Sequence, residues 1–152
     1  MPIPALPLEG GCRCDRVRFR ITAPPLVTAA CHCRGCQKMS GSAFSTTLIL
    51  PADALEITSG EPVLGGMHAA DLAHYHCDWC KSWVFTRPPA EYGIVNVRAT
   101  MLDDATWFAP FMETCTSEKL PWAQTGAPHG YAQFPDPSEF PKLIQAFAET
   151  NA

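Results

Sequence analysis

The sequence predicts a mainly β protein closed by one C-terminal helix. Three observations point there. Apolar and polar residues alternate over short stretches, the period of a half-buried strand. The 15 prolines are scattered along the 152 residues instead of gathering in a linker, which keeps regular elements short. Several of the short stretches also run directly into cysteine pairs, as strands do where a metal ties their ends together.

Taken in order, residues 17–22 place Val17, Phe19 and Ile21 on one face and Arg18, Arg20 and Thr22 on the other, a strand stopped by Pro24 and Pro25. Residues 26–30 read as a second strand leading into Cys31. Residues 34–39 form a short helix that ends at Ser40 and Gly41. The β-branched and apolar bias of residues 44–50 predicts a strand ending at Pro51, and residues 55–58 another, before the Ser59–Gly60 turn. Residues 72–76 alternate again and deliver Cys77. Residues 83–86 follow Cys80, and residues 93–98 carry Ile94, Val95 and Val97. Near the C-terminus, Phe140, Leu143, Ile144 and Phe147 fall at i, i+3, i+4, i+7, the apolar stripe of a helix that lies as a lid on the sheet. Ser138 is its predicted N-cap, with Pro141 in the first turn. Residues 120–136, rich in Pro, Gly and Ala, read as an ordered surface loop.

No repeat or boundary divides the chain, so residues 1–152 are expected to form one domain. Apolar residues make up 47% and charged residues only 17%, with a net charge of −4 and no run of Lys or Arg. This argues against nucleic acid or an anionic membrane as the partner. The first nine residues lack a basic segment and are broken by Pro2, Pro4 and Pro7, unlike a signal peptide. No apolar run approaches the roughly 20 residues of a membrane span. The expected compartment is cytoplasmic, where thiols stay reduced.

That expectation bears on the eight cysteines. Seven fall into tight clusters: Cys12 and Cys14, then Cys31, Cys33 and Cys36, then Cys77 and Cys80; Cys115 stands alone. An even count also permits a disulfide framework, but a reducing compartment and a chain this long favour metal. Structural zinc takes four protein ligands; catalytic zinc takes three and keeps a fourth position open. Seven cysteines divide naturally into four and three. Cys12, Cys14, Cys77 and Cys80 make a closed site joining distant parts of the chain. Cys31, Cys33 and Cys36 then hold a second zinc with an open position, which Cys115 would close if it were a ligand. His32, His74 and His76 are weaker ligand candidates, and His68 and His129 carry no signal.

Three segments carry a family resemblance: Gly10-Gly-Cys-Arg-Cys-Asp-Arg-Val-Arg-Phe19, Cys31-His-Cys-Arg-Gly-Cys-Gln-Lys-Met-Ser-Gly-Ser-Ala-Phe44 and Cys77-Asp-Trp-Cys-Lys-Ser-Trp-Val-Phe85. In this order they resemble the glutathione-dependent formaldehyde-activating (GFA) family, with a looser echo through Val97 and Leu120-Pro-Trp122. The resemblance implies a β-tent fold of several short antiparallel sheets tied by two zinc ions. It assigns the closed zinc to the first and third clusters and the catalytic zinc to the middle one, the same division that counting suggests. Two positions depart from the family pattern: Asp15 and Lys81 stand where glycine usually follows the cysteine pairs. Both read as turn positions, where Asp tolerates the left-handed region better than Lys does. They point to a divergent subgroup.

Zinc held by three thiolates carries a formal charge of −1. It suits the binding of a fourth thiol better than the activation of water. The resemblance implies that this thiol is glutathione and that the reaction makes or cleaves S-(hydroxymethyl)glutathione, a carbon–sulfur lyase chemistry. The loop Gln37, Lys38, Ser40, Gly41 and Ser42 offers amides, hydroxyls and a cation for the glutathione carboxylates, although Ser40-Gly41-Ser42 also serves simply to turn the chain. Arg98 and Trp122 are candidates to line a cleft, with core packing the preferred role of Trp122. Trp79 is expected to cover the closed site. The alternatives are a non-catalytic zinc-stabilised binding module and, more remotely, a redox sensor built on the middle cysteines.

Overall fold

The computed structural model describes residues 2–67 and 71–152, so His68 lies outside the described residues. The mainly β architecture with a C-terminal helix is borne out. A three-stranded antiparallel sheet has the order β1-β2-β5, formed by β1 (Leu8–Gly11), β2 (Arg18–Ile21) and β5 (Leu55–Ser59). An eight-stranded sheet has the order β11-β10-β3-β4-β9-β8-β7-β6. Its members are β3 (Val27–Cys31), β4 (Ser45–Pro51), β6 (Val63–Leu64), β7 (Ala73–His76), β8 (Trp83–Arg87), β9 (Ile94–Arg98), β10 (Met112–Thr114) and β11 (His129–Gly130). Its pairings are antiparallel except β3 with β10 and β10 with β11, which are parallel.

Each expected strand is present to within a residue or two of its predicted ends. β1, β6, β10 and β11 are additions. β1 is concealed by Gly10 and Gly11, which have weak strand propensity. Here Gly10 is a packing requirement: a Cβ on it would come within 2.5 Å of both the Phe19 ring and the Met101 carbonyl oxygen. β11 falls inside residues 120–136, correcting their reading as loop. Its two residues pair with Met112 and Glu113, a length too short to leave a period in sequence.

The main core fills the space between the sheets. Phe19, Ile21 and Leu55 from the small sheet meet Leu48, Leu50, Val84, Val95 and Val97 from the large one. The opposite face of the large sheet has two ends of different character. At one end Val27, Ala29, Ile49 and Met112 pack under Leu143 and Phe147 of α2 (Phe140–Thr150), the helix predicted as a lid. Its N-cap needs correction. Asp136, not Ser138, caps the segment: its carboxylate accepts from the Ser138 amide at 2.9 Å, and Glu139 completes a capping box. A 3-10 turn at Pro137–Glu139 then leads into α2, which places Ser138 within the turn. At the other end of the same face lie Cys31, Ser45, Thr47 and Arg98, in register across β3, β4 and β9.

Candidate metal centre and its surroundings

All eight cysteines are free thiols. Seven of them converge as two groups, Cys12, Cys14, Cys77 and Cys80 in one and Cys31, Cys33 and Cys36 in the other, with the sulfurs of each group all within 4.8 Å of one another.

The first group is built from two matching turns. Cys12 N–H donates to the Val17 carbonyl and Asp15 N–H to the Cys12 carbonyl; Cys77 N–H donates to the Ser82 carbonyl and Lys81 N–H to the Cys77 carbonyl, each at 3.0 Å. Closing each turn takes one residue in the left-handed region, and these are Asp15 (φ 61°) and Lys81 (φ 59°). The two departures from the family pattern are therefore positions where glycine would relieve strain. Ser82 joins the turns by accepting from the Arg13 amide at 3.2 Å and standing 3.2 Å from the Cys80 sulfur. The Cys12–Cys14 and Cys14–Cys77 sulfurs are 3.6 and 3.7 Å apart. A tetrahedron of sulfurs about 2.3 Å from a zinc ion has an edge of about 3.8 Å, so the group fits that ion.

Local electrostatics differ among these thiols. Burial pushes Cys12 up to about 11, against the Val17 amide that donates to its sulfur at 3.3 Å. Burial also acts to raise Cys80, but the Ser82 hydroxyl and amide bring it down to about 5. Cys14 is lowered, first by the Arg16 amide. Trp79, expected to cover this group, is 70% exposed and instead carries the Arg16 guanidinium 4.1 Å from its ring centre.

The second group is presented by the end of β3 and the start of α1 (Arg34–Ser40). Cys33 is the N-cap of α1, and its sulfur accepts from the Cys36 amide at 3.3 Å. Gly41, left-handed at φ 62°, terminates the helix as the sequence suggested. A hydrogen bond from Cys36 holds the Cys31 thiol down at about 5 against burial, with help from the Thr114 hydroxyl. Cys36 is correspondingly raised by Cys31 and by burial, while Ser45 acts to lower it.

Cys115 is buried next to this group but falls outside its set of mutually close sulfurs. Burial and the charge of Cys31 push its thiol up to about 12. His32, between two of the cysteines, is turned away from them. Its fully buried ring places Nε2 3.0 Å from Glu113, which also accepts from Lys119 Nζ at 2.9 Å and Thr125 Oγ1 at 2.7 Å. His74 and His76 pack against Trp83, and neither joins a cysteine group.

The loop after Cys36 divides by role. Gln37 donates its side-chain amide to the His32 and Glu118 carbonyls, and the Ser40 hydroxyl donates to the Cys36 carbonyl, so both hold the backbone of the loop. Lys38, Gly41 and Ser42 are exposed. Arg98 is 7% exposed and so does not line an open cleft, and Trp122, expected in the core, is 71% exposed. A cleft between α2 and the segment before β11, lined by Phe111, His129 and Phe147, contains none of the cysteines. Sequence reasoning missed Glu113, Ser45 and Thr114. Ser45 and Thr114 pair with or flank Cys31 only through strand register, which leaves no local motif.

No helix among the described residues is long and apolar enough to cross a membrane. Residues 7–118 match the family model described as glutathione-dependent formaldehyde-activating enzyme. Three relatives carry the name "Putative glutathione-dependent formaldehyde-activating enzyme". The Penicillium rubens protein is 29% identical over 65% of this chain and 54% of its own length. That of Podospora anserina is 27% identical over 76% and 59%, and that of Halomonas elongata 33% over 51% and 55%. The matched part of this chain thus spans a little over half the length of these relatives. A crystal structure of a Rhodobacter sphaeroides protein shares the fold, with a TM-score of 0.53 and 15% identity over 63% of this chain and 88% of that one.

Proposed function

Because this chain belongs to the glutathione-dependent formaldehyde-activating family, we propose that it is a cytoplasmic, single-domain carbon–sulfur lyase acting on adducts of glutathione with formaldehyde or a related aldehyde. The observation that carries the proposal is the unequal pair of cysteine groups, one of four and one of three. Each holds one zinc ion. Cys12, Cys14, Cys77 and Cys80 surround theirs completely and tie the turn between β1 and β2 to the turn between β7 and β8. Cys31, Cys33 and Cys36 leave one position of a tetrahedron free.

Zinc bound at the second group supplies a position where a substrate thiol gives up its proton near neutral pH and stays nucleophilic. The residues of the chain supply the rest. Cys33 and Cys36 are fixed by the N-cap and first turn of α1, and Cys31 by its place in β3, so these three side chains would hold the ion from two rigid elements. Gln37 and Ser40 hold the loop backbone, and Lys38, Gly41 and Ser42 face solvent where the glutathione carboxylates arrive. In the forward direction the glutathione thiol releases its proton to water, its sulfur bonds to the aldehyde carbon, the carbonyl π pair moves to oxygen, and oxygen takes a proton back from water. The reverse breaks the same carbon–sulfur bond.

The test is exchange NMR on glutathione and formaldehyde, because the adduct also forms spontaneously. The wild-type protein should accelerate exchange above the spontaneous rate, and Cys33→Ser should return it to that rate while leaving the fold intact. Equal rates with and without the wild-type protein would favour a zinc-stabilised binding module.

A further inference from the structure

Arg98 is a buried cation without a carboxylate. It is 7% exposed, and among the described residues no acidic side chain lies within ion-pair distance of it. Its guanidinium lies 4.2 Å from the centre of the Trp83 ring, and Nη2 reaches only the Asn96 carbonyl, at 3.4 Å. Nε is buried with no hydrogen-bond partner, as is the neighbouring Asn96 Oδ1. Burying a charge this way is costly unless an opposite charge offsets it. A cation–π contact contributes only about 0.5–2 kcal/mol, too little to do so alone.

Strand register shows which thiol shares its face of the sheet. Arg98 pairs with Thr47, and Thr47 with Ala29; one row further along the same face, Ser45 pairs with Cys31. Side chains two residues apart on a strand share a face, so Arg98, Ser45 and Cys31 look out from one surface of the sheet. α1 brings Cys36 back over that surface. Cys36 and Cys31 are the cysteines whose thiolate charge, present once a metal is bound, acts to favour the Arg98 cation. A guanidinium stays protonated at neutral pH even when buried, so the positive charge is fixed.

We propose that Arg98 is the counter-charge of the three-cysteine group, a positioning residue whose fixed positive charge makes it possible for that group to accept a further thiolate. The inference rests on the reading of that group as an open metal site. Three thiolates and a divalent ion carry a net −1, and an arriving thiol that sheds its proton to solvent raises this to −2. Without a nearby cation the second negative charge would be resisted by the first. Arg98 is inaccessible to substrate, so it acts on the sulfurs and not on the glutathione carboxylates.

The experiment uses protein loaded with cobalt(II) and follows the thiolate-to-cobalt absorption during titration with glutathione and, separately, with 2-mercaptoethanol, which has no carboxylate. Arg98→Met should weaken the binding of both thiols at least about tenfold, as expected for loss of a full charge that faces the site through a buried, poorly screened environment. Arg98→Lys should stay within about threefold of wild type. If the methionine variant does not fold, Arg98→Gln carries the same comparison. Three results would overturn the inference: unchanged affinity in the neutral variant, a lysine variant as weak as the neutral one, or weakening for glutathione alone, which would make Arg98 a carboxylate anchor. A wild-type protein whose spectrum ignores both thiols would sink the open-site reading and this inference together; a wild-type response matched by Arg98→Met would sink this inference alone.

Discussion

Two single residues show how far a departure from a family pattern can be explained physically. Asp15 and Lys81 each close a turn that delivers a cysteine pair, and each does so with positive φ. Asp is tolerated there because its short side chain finds local hydrogen bonds; a lysine gains nothing comparable from the conformation. The Lys81–Asp78 ion pair is solvent-exposed and offsets little of that strain. Lys81→Gly should therefore stabilise the protein by about 0.5–1 kcal/mol, the relief of strain less the extra entropy of glycine in the unfolded chain. Urea unfolding checks this, and a destabilised variant would mean that the lysine side chain has a packing role. The same residues mark what can be read locally. Ligand spacing, turn positions and the helix stop at Gly41 are all set by residues close in sequence, so they are legible. Trp79 and Trp122 are not: whether an indole is buried depends on what the rest of the chain brings over it, and here both stay exposed.

At the level of elements, the strands with clear alternation were readable and the short ones were not. β2 and the residue before it show the difference: Val17, Phe19 and Ile21 are all buried as the period predicts. β10 has three residues and β11 two, yet together they bring Glu113 against His32 and Lys119. Burial acts to raise the Glu113 carboxyl, but hydrogen bonds from Thr125, Lys119 and His32 together hold it below the ordinary range. A carboxyl lowered in the folded state contributes stability above its unfolded pKa, about 4.3, and loses that contribution as pH falls through the lower folded value. Glu113→Gln should thus cost about 1–3 kcal/mol at neutral pH, and the gap from wild type should close in acid. Denaturant unfolding between pH 7 and 3 measures both curves. Parallel curves would show that the network is held by packing and not by the carboxylate charge.

Across the whole molecule, the large sheet separates two tasks on one face. α2 covers the apolar end, and the polar end carries Cys31, Ser45 and Arg98 beneath α1. The division of cysteines into four and three was legible because the ligand clusters are tight in sequence. The environment of the second group was not, since Thr114, Ser45 and Arg98 reach it through pairings across β10, β3, β4 and β9. In the proposed function one zinc is enclosed by four cysteines and the other keeps an open position. The most direct test of this arrangement is X-ray absorption at the zinc edge, with the metal content of the same sample measured. The protein should contain about two zinc ions per chain with an average of about 3.5 sulfur ligands each, rising to about 4 when glutathione is added. Cys115→Ala should leave these values unchanged. An average of 4 before glutathione is added, falling in the Cys115 variant, would show that Cys115 closes the second site and that no open zinc exists.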